Sequence, residues 1–228
     1  MIHIKNSLRI FTILFLISCT ISIFRAQTIY RSIGVDVGWY KPSMDYWNDN
    51  SSFAEGDENF GGDFTGRLNI QANIIDPLRV KLGAEYWNES INRQNFPASV
   101  GLDNNKLSIR LIGLTGSAIV DFPLFNIQAL QTYIGVGGGY YFIQKKVETA
   151  FTNGTSAEDT DDGRDFIWHT LIGVEKELFS NFSAGLEFRY LLGDYTQQLE
   201  DVYGNVSDEN VSLSGPEITL TFNYLFEN

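Results

Sequence analysis

Thiols and imidazoles are nearly missing from this chain. Cys19 is the only cysteine in 228 residues, and histidine occurs twice, as His3 and His169. Cys19 lies in the N-terminal segment, so once that segment is removed no disulfide framework, thiolate nucleophile or thiolate metal site can exist. Positive charge is also scarce: 16 Lys and Arg stand against 28 Asp and Glu, for a net charge of −12. Phosphate backbones attract the opposite sign, which excludes nucleic acid as a partner. No stretch shows the periodicity of an amphipathic helix. The longest apolar run, residues 10–24, is broken by Thr12, Ser18, Cys19, Thr20 and Ser22. It falls short of the ~20 apolar residues that a transmembrane helix needs.

That run follows Lys5 and Arg9, the order of a basic n-region and a secretory h-region. Residues 1–26 therefore read as a signal peptide with cleavage after Ala26, leaving residues 27–228 as one domain of ordinary length. A second reading takes Leu16-Ile17-Ser18-Cys19 as a lipobox with Cys19 lipidated. Lys5, Arg9 and Arg25 leave with the signal and no acid does, so the remaining chain carries −15.

What is abundant is alternation. Period-two patterns predict eight strands, at about 29–41, 61–75, 78–88, 105–120, 130–146, 164–178, 182–193 and 213–227. In LRVKLGAEYW, Leu78, Val80, Leu82, Ala84 and Tyr86 oppose Arg79, Lys81, Gly83, Glu85 and Trp87. The fourth strand alternates least well, because Ile109, Leu111, Ile112 and Leu114 change parity; this implies a bulge or a locally apolar interior. Short links near 75–78, 121–129 and 178–181 alternate with four long polar loops, 42–60, 88–104, 147–165 and 193–212. The loops hold 18 of the 28 acids and two basic residues, Arg93 and Arg164.

Such a meander closes as a barrel, and its sidedness follows from side-chain size. Eight strands enclose an interior just wide enough for side chains to fill. One face is rich in Phe, Tyr, Trp, Leu and Ile, and the other combines Gly34, Gly38, Gly83, Gly135, Gly137, Gly139, Gly173 and Gly185 with charged groups. Aromatics would crowd the lumen, so they face lipid and the fold expected is all-β, an eight-stranded antiparallel up-and-down transmembrane β-barrel. The alternative is a soluble barrel with its apolar set inside. Inside the transmembrane barrel a polar network is expected from Asp36, Arg67, Lys81, Glu85, Arg110, His169, Glu175, Glu187 and Arg189. Enclosed charges are tolerated only when paired, which argues against an open channel. An interfacial girdle is expected from Trp39, Tyr40, Tyr86, Trp87, Tyr140, Tyr141, Phe142, Phe166, Trp168, Tyr190, Tyr224 and Phe226.

The chain ends ITLTFNYLFEN, a strand with Ile218, Leu220, Phe222, Tyr224 and Phe226 on one face. It pairs with the first strand, because lipid cannot satisfy a free edge. A terminal strand ending in an aromatic resembles the signal read by the outer-membrane barrel assembly machinery. With the signal peptide and acidic loops, it makes the chain similar to the outer-membrane β-barrel domain proteins of the Bacteroidetes type, allied to OmpA-like, OmpX-like and PorT-like barrels. The resemblance implies a monomer in outer-membrane lipid, assembled by that machinery, with a structural or surface-interaction role through loops that meet an extracellular ligand. Other readings are a narrow pore or a transport or secretion accessory, a lipid-modifying enzyme, and a soluble periplasmic ligand-binding barrel.

No catalytic, cofactor or metal residue is expected. Outer-membrane lipid deacylases and palmitoyltransferases hold a histidine beside a serine. Here His169 points by parity into the lumen, with no serine within four residues and Ser183 the candidate from another strand. Residues 158–165, EDTDDGRD, lack the spacing of an EF-hand loop and read as a solvated loop tip. Gly135, Gly137 and Gly139 alternate along a strand, so GVGGGYY is no phosphate cradle.

Overall fold

In a computed structural model the chain is described over residues 29–49, 59–93, 101–122, 130–200 and 206–226. The expected signal peptide, its cleavage point and the Cys19 lipobox lie outside these residues.

Eight strands close into one antiparallel barrel. They are β1 (Ile29–Tyr40), β2 (Asp63–Ile75), β3 (Leu78–Arg93), β4 (Leu102–Phe122), β5 (Leu130–Phe151), β6 (Ser156–Phe179), β7 (Phe182–Leu192) and β10 (Gly215–Leu225). Two further strands, β8 (Asp194–Glu200) and β9 (Val206–Ser212), pair as a separate hairpin between β7 and β10. Each barrel strand pairs with its neighbour in sequence, and β10 closes on β1 from Ser32↔Leu225 to Tyr40↔Glu217. No barrel strand is left as an edge.

Alternation decides which way the side chains point. Along β10 every second residue is buried, with Glu217, Thr219, Thr221 and Asn223 inside and Ile218, Leu220, Phe222 and Tyr224 outside. Around the wall the exposed set includes Phe64, Leu68, Leu114, Val136, Trp168 and Phe182. The eleven residues of β7 rise ~3.4 Å each, and a tilt of about 40° makes them span an apolar band of about 25 Å, the height of a lipid-facing belt. Aromatic pairs edge the belt. Trp39–Phe64, at 5.4 Å, and Phe166–Trp168, at 4.9 Å, stand toward the long loops, and Phe182–Tyr224, at 5.4 Å, toward the short turns.

Several expected loops are strands instead. Residues 147–165 form the outer end of a hairpin in which β5 and β6 stay paired from Leu130↔Lys176 to Ala150↔Ser156. Its turn is set by Asn153, whose Oδ1 accepts from the Thr155 amide at 2.9 Å, and by Gly154 at φ +83, a conformation that an L side chain resists. Acidic composition hid this hairpin, because beyond the belt neither face is apolar enough to show a period. The same holds for β8 and β9. The loop at 42–60 contains a five-residue helix, α1 (Asp45–Asp49).

Candidate functional site

The lumen is filled by two layers of unlike chemistry. At the level of mid-belt, Arg67 on β2 donates from Nε to Asp36 of β1 at 2.7 Å and from Nη2 to Glu187 of β7 at 2.5 Å. Lys81 on β3 lies 3.0 Å from both of these carboxylates, and the Tyr133 hydroxyl donates to Glu187 at 3.1 Å. Toward the loops, Arg189 bridges Glu217 and Glu85, the latter at 2.5 Å, and Tyr141 donates to Glu85 at 3.2 Å. Toward the turns, Glu175 gathers Arg79 at 3.3 Å, Arg31 at 3.5 Å, Asn223 at 3.0 Å and the Ser183 hydroxyl. Asp121 forms an ion pair with Arg79 at 2.8 Å. Buried acids and bases from different strands thus neutralise one another, the condition on which buried charge is tolerated.

Glycines make the room. A Cβ on Gly173 would lie 2.3 Å from Tyr133 Cζ, and one on Gly113 would lie 2.5 Å from Tyr141 Cε1. Both rings lie flat across the neighbouring strand where it has no side chain.

Above the ion pairs the interior turns apolar. Trp87, Leu107, Ile109, Leu111, Tyr141, Ile143, Ile167 and Leu191 converge from the wall, and Met44, Trp47, Phe60, Tyr195, Val211 and Leu213 descend from the segments between the strands. Tyr40 stacks edge-on against Trp87 at 5.5 Å and donates its hydroxyl to the Leu213 carbonyl. The first long segment is laced to the last by backbone bonds, Lys41 N to Pro216 O at 3.0 Å, Ser43 N to Ser214 O at 2.8 Å and Met44 N to Ser212 O at 2.9 Å. Glu89 on β3 accepts from the amides of Gly61 at 2.8 Å and Gly62 at 3.1 Å, tying down the other end of that segment. Burial pushes the Glu89 carboxyl above its ordinary range, partly offset by these two amides. Burial likewise pushes the Tyr195 phenol up to about 12. The loop end of the barrel is thus closed by an apolar plug.

A closed eight-stranded wall, apolar outside and ion-paired inside, matches one family along nearly its whole length. The chain belongs to the outer membrane protein beta-barrel domain family. That family's model matches residues 11–226. Among solved structures it is similar to a major outer membrane protein from Thermus thermophilus, at 15% identity and a TM-score of 0.55, over 86% of this chain and 98% of that one. It is also similar to the outer membrane protein OprG from Pseudomonas aeruginosa, at 14% identity and a TM-score of 0.53, over 87% and 97%. At these identities the likeness is one of fold. No curated protein matches the chain.

Within this outer-membrane barrel, Asp36, Arg67, Lys81, Glu85, His169, Glu175, Glu187 and Arg189 all point inward and are buried. Arg110 does not. It faces outward and donates from Nη1 to Gln144 at 3.3 Å on the exposed wall. Alternation in β4 runs unbroken from Leu107 to Ile119, so Ile109 and Leu111 belong to the plug and the even residues between them face out. The apparent parity change came from an interior that is itself apolar at that height. For the same reason Tyr40, Trp87 and Tyr141 sit in the plug and do not join the outer girdle.

Four charged members of the network escaped sequence reasoning. Glu217 and Arg79 share the polar parity of Thr219 and Lys81, a signal that was there to use. Asp121 lies one residue past the expected end of its strand. Arg31 is the extra residue of a bulge between Tyr30 and Ser32, and nothing local announces it. The serine beside His169 is Ser117 of β4, with Oγ 2.7 Å from Nε2, and Ser183 is taken by Glu175. The acids of residues 158–165 divide between the two faces of β6, Glu158 and Asp162 on one and Asp159, Asp161 and Asp165 on the other, as strand geometry requires. Outside the belt, Lys146 pairs with Glu148 at 2.6 Å and Glu158 at 3.1 Å, which holds the Glu148 carboxyl below its ordinary range.

Proposed function

We propose that this barrel is a non-conducting, non-enzymatic structural or surface-interaction protein of the outer membrane. Its short turns and termini face the periplasm, and its acidic segments project outside as the surface that meets an extracellular ligand. It is exported through a signal cleaved after Ala26, inserted by the barrel assembly machinery and monomeric in lipid. The observation that carries this reading is the double closure of the lumen, first by paired charges and then by the Trp47 plug. A narrow pore would need a continuous wet path, and both layers oppose one. The Ser117–His169 pair gives little support to acyl transfer, because both side chains are buried in the lumen, away from the wall where an acyl chain would arrive.

The test combines outer-membrane fractionation, heat-dependent gel mobility and planar-bilayer recording. The expected result is a detergent-requiring, heat-modifiable band with no unitary conductance. Stable single-channel steps from the wild-type chain would sink the non-conducting assignment, and lipid turnover lost in His169→Ala would sink the non-enzymatic one.

A further inference from the structure

Arg110 and Arg164 stand where neither the lumen nor the acidic loops use them. On the outer wall, at the loop-side edge of the apolar belt, a groove of about 330 Å³ runs across β4, β5 and β6. Its lower part is Ile112 and Phe142, both about half exposed, and its upper part is Arg110, Gln144 and Asp162. The register sets these side chains in two rows: Ile112, Phe142 and Arg164 below, Arg110, Gln144 and Asp162 above. Arg110 lines the groove from β4 and Arg164 stands beside it on β6, next to Phe142. Two strand spacings across and two residues along put their backbone positions about 12 Å apart, within reach of one anion shared between two extended arginine side chains. Arg110 spends one N–H on Gln144, which in turn donates to Asp162 at 3.1 Å. Among the described residues Arg164 has no partner, and the rest of the Arg110 fork is directed to no protein acceptor.

We propose that this groove binds the phosphate headgroup of a membrane lipid in the loop-side leaflet, with Arg110 and Arg164 on the phosphate and the first acyl carbons on Ile112 and Phe142. The inference rests on the reading of the chain as an integral outer-membrane barrel. Two planar guanidinium forks suit phosphate oxygens better than any neutral headgroup. The apolar pair Ile112 and Phe142, beneath Arg110 and level with Arg164, selects an amphiphile. A freely diffusing phosphate would meet Asp162 and the negative field of a chain of net charge −12, with no acyl chain to offset that repulsion.

The experiment uses the full barrel purified in a maltoside detergent, which contributes no phosphate, with lipid retention read by native mass spectrometry. Dioleoylphosphatidic acid is compared with dioleoylglycerol, which has the same chains and no phosphate. Retention of the phosphatidic acid is expected to be about tenfold stronger. In R110Q/R164Q that preference is expected to vanish, while Lys106→Gln, two register rows farther out, leaves it in place. Equal retention of the two lipids, or an unchanged preference in R110Q/R164Q, overturns the site. Competition by inorganic phosphate at millimolar concentration also overturns it, by assigning the groove to a free anion. Both substituted side chains face outward, so heat-modifiable mobility verifies folding in each variant. A chain that stays monodisperse without detergent would sink the membrane reading itself, whereas a heat-modifiable barrel without lipid preference sinks the groove alone.

Discussion

The two halves of the lumen are filled by opposite means. In the lower half, Asp36, Arg67, Lys81 and Glu187 come from four strands and meet within 3.0 Å. In the upper half, Trp47, Met44 and Tyr195 come from segments outside the wall and meet Leu107, Ile143 and Leu191. Ion pairs are directional, so the lower half fixes strand against strand in a single register. Apolar contact is not, and the upper half gathers chain of irregular path onto a finished barrel. The difference predicts that the lower half governs whether the barrel closes and the upper half governs whether its outer segments stay docked.

The largest effect is expected from Glu187→Gln. Arg67 and Lys81 would be left to share Asp36, with only the more distant Glu85, 3.9 Å from Arg67, in support, and removing one partner of a buried charge cluster costs about 3–5 kcal/mol. The urea midpoint of the refolded barrel in detergent should fall accordingly. An unchanged midpoint would mean that water enters the lumen and the charges are solvated. Trp47→Ala should cost ~3 kcal/mol, but of docking and not of closure. Protease cleavage near α1 should rise sharply while the heat-modifiable band persists. Conductance should remain absent, because the ion-paired layer still fills the bore. If Trp47→Ala lowers the urea midpoint as far as Glu187→Gln does, the two halves are one cooperative unit and the contrast fails.

The strands and their sidedness were legible in the sequence because a two-residue period inside a lipid belt has only two registers, and side-chain size distinguishes them. Glu187, Arg189 and Glu175 could be placed inside by parity alone. Arg110 could not, because correct parity in β4 required knowing that Ile109 and Leu111 face an apolar plug. That plug draws on residues as distant as Met44 and Val211, whose meeting is a tertiary fact with no local period. The same limit hid the docked segments: beyond the belt, β5, β6, β8 and β9 are polar on at least one face, and acidic strands read as loops.

A finer test of the lower half is Gly173→Ala. The added methyl would lie 2.3 Å from the Tyr133 ring, whose hydroxyl must stay within reach of Glu187. Overpacking of this kind costs typically ~1–3 kcal/mol. Tyr133→Ala in the same chain removes the clash and should recover part of the loss, so a double-mutant cycle reads the contact directly. Additive effects would show that the ring already has somewhere else to go.

The smallest effect probes the upper half through pH. Glu89 holds the amides of Gly61 and Gly62, above the belt, where the outward neighbours Asn88, Ser90 and Asn92 are polar. Its folded pKa is raised from the ordinary 4.5, with burial as the main cause. A raised carboxyl pKa means that the docked state binds its proton more tightly than the undocked one. Docking is therefore strongest below the ordinary glutamate range and weakens as pH rises through the raised value. Partial exposure keeps the change small. Limited proteolysis of the first outer segment should accelerate modestly from pH 4 toward neutrality in the wild type, measured with a protease whose own pH profile is divided out. In Glu89→Gln, which keeps an oxygen for both amides and cannot ionise, the slope should flatten. A variant that retains the full slope would assign the pH response to another group and leave Glu89 a latch without a switch.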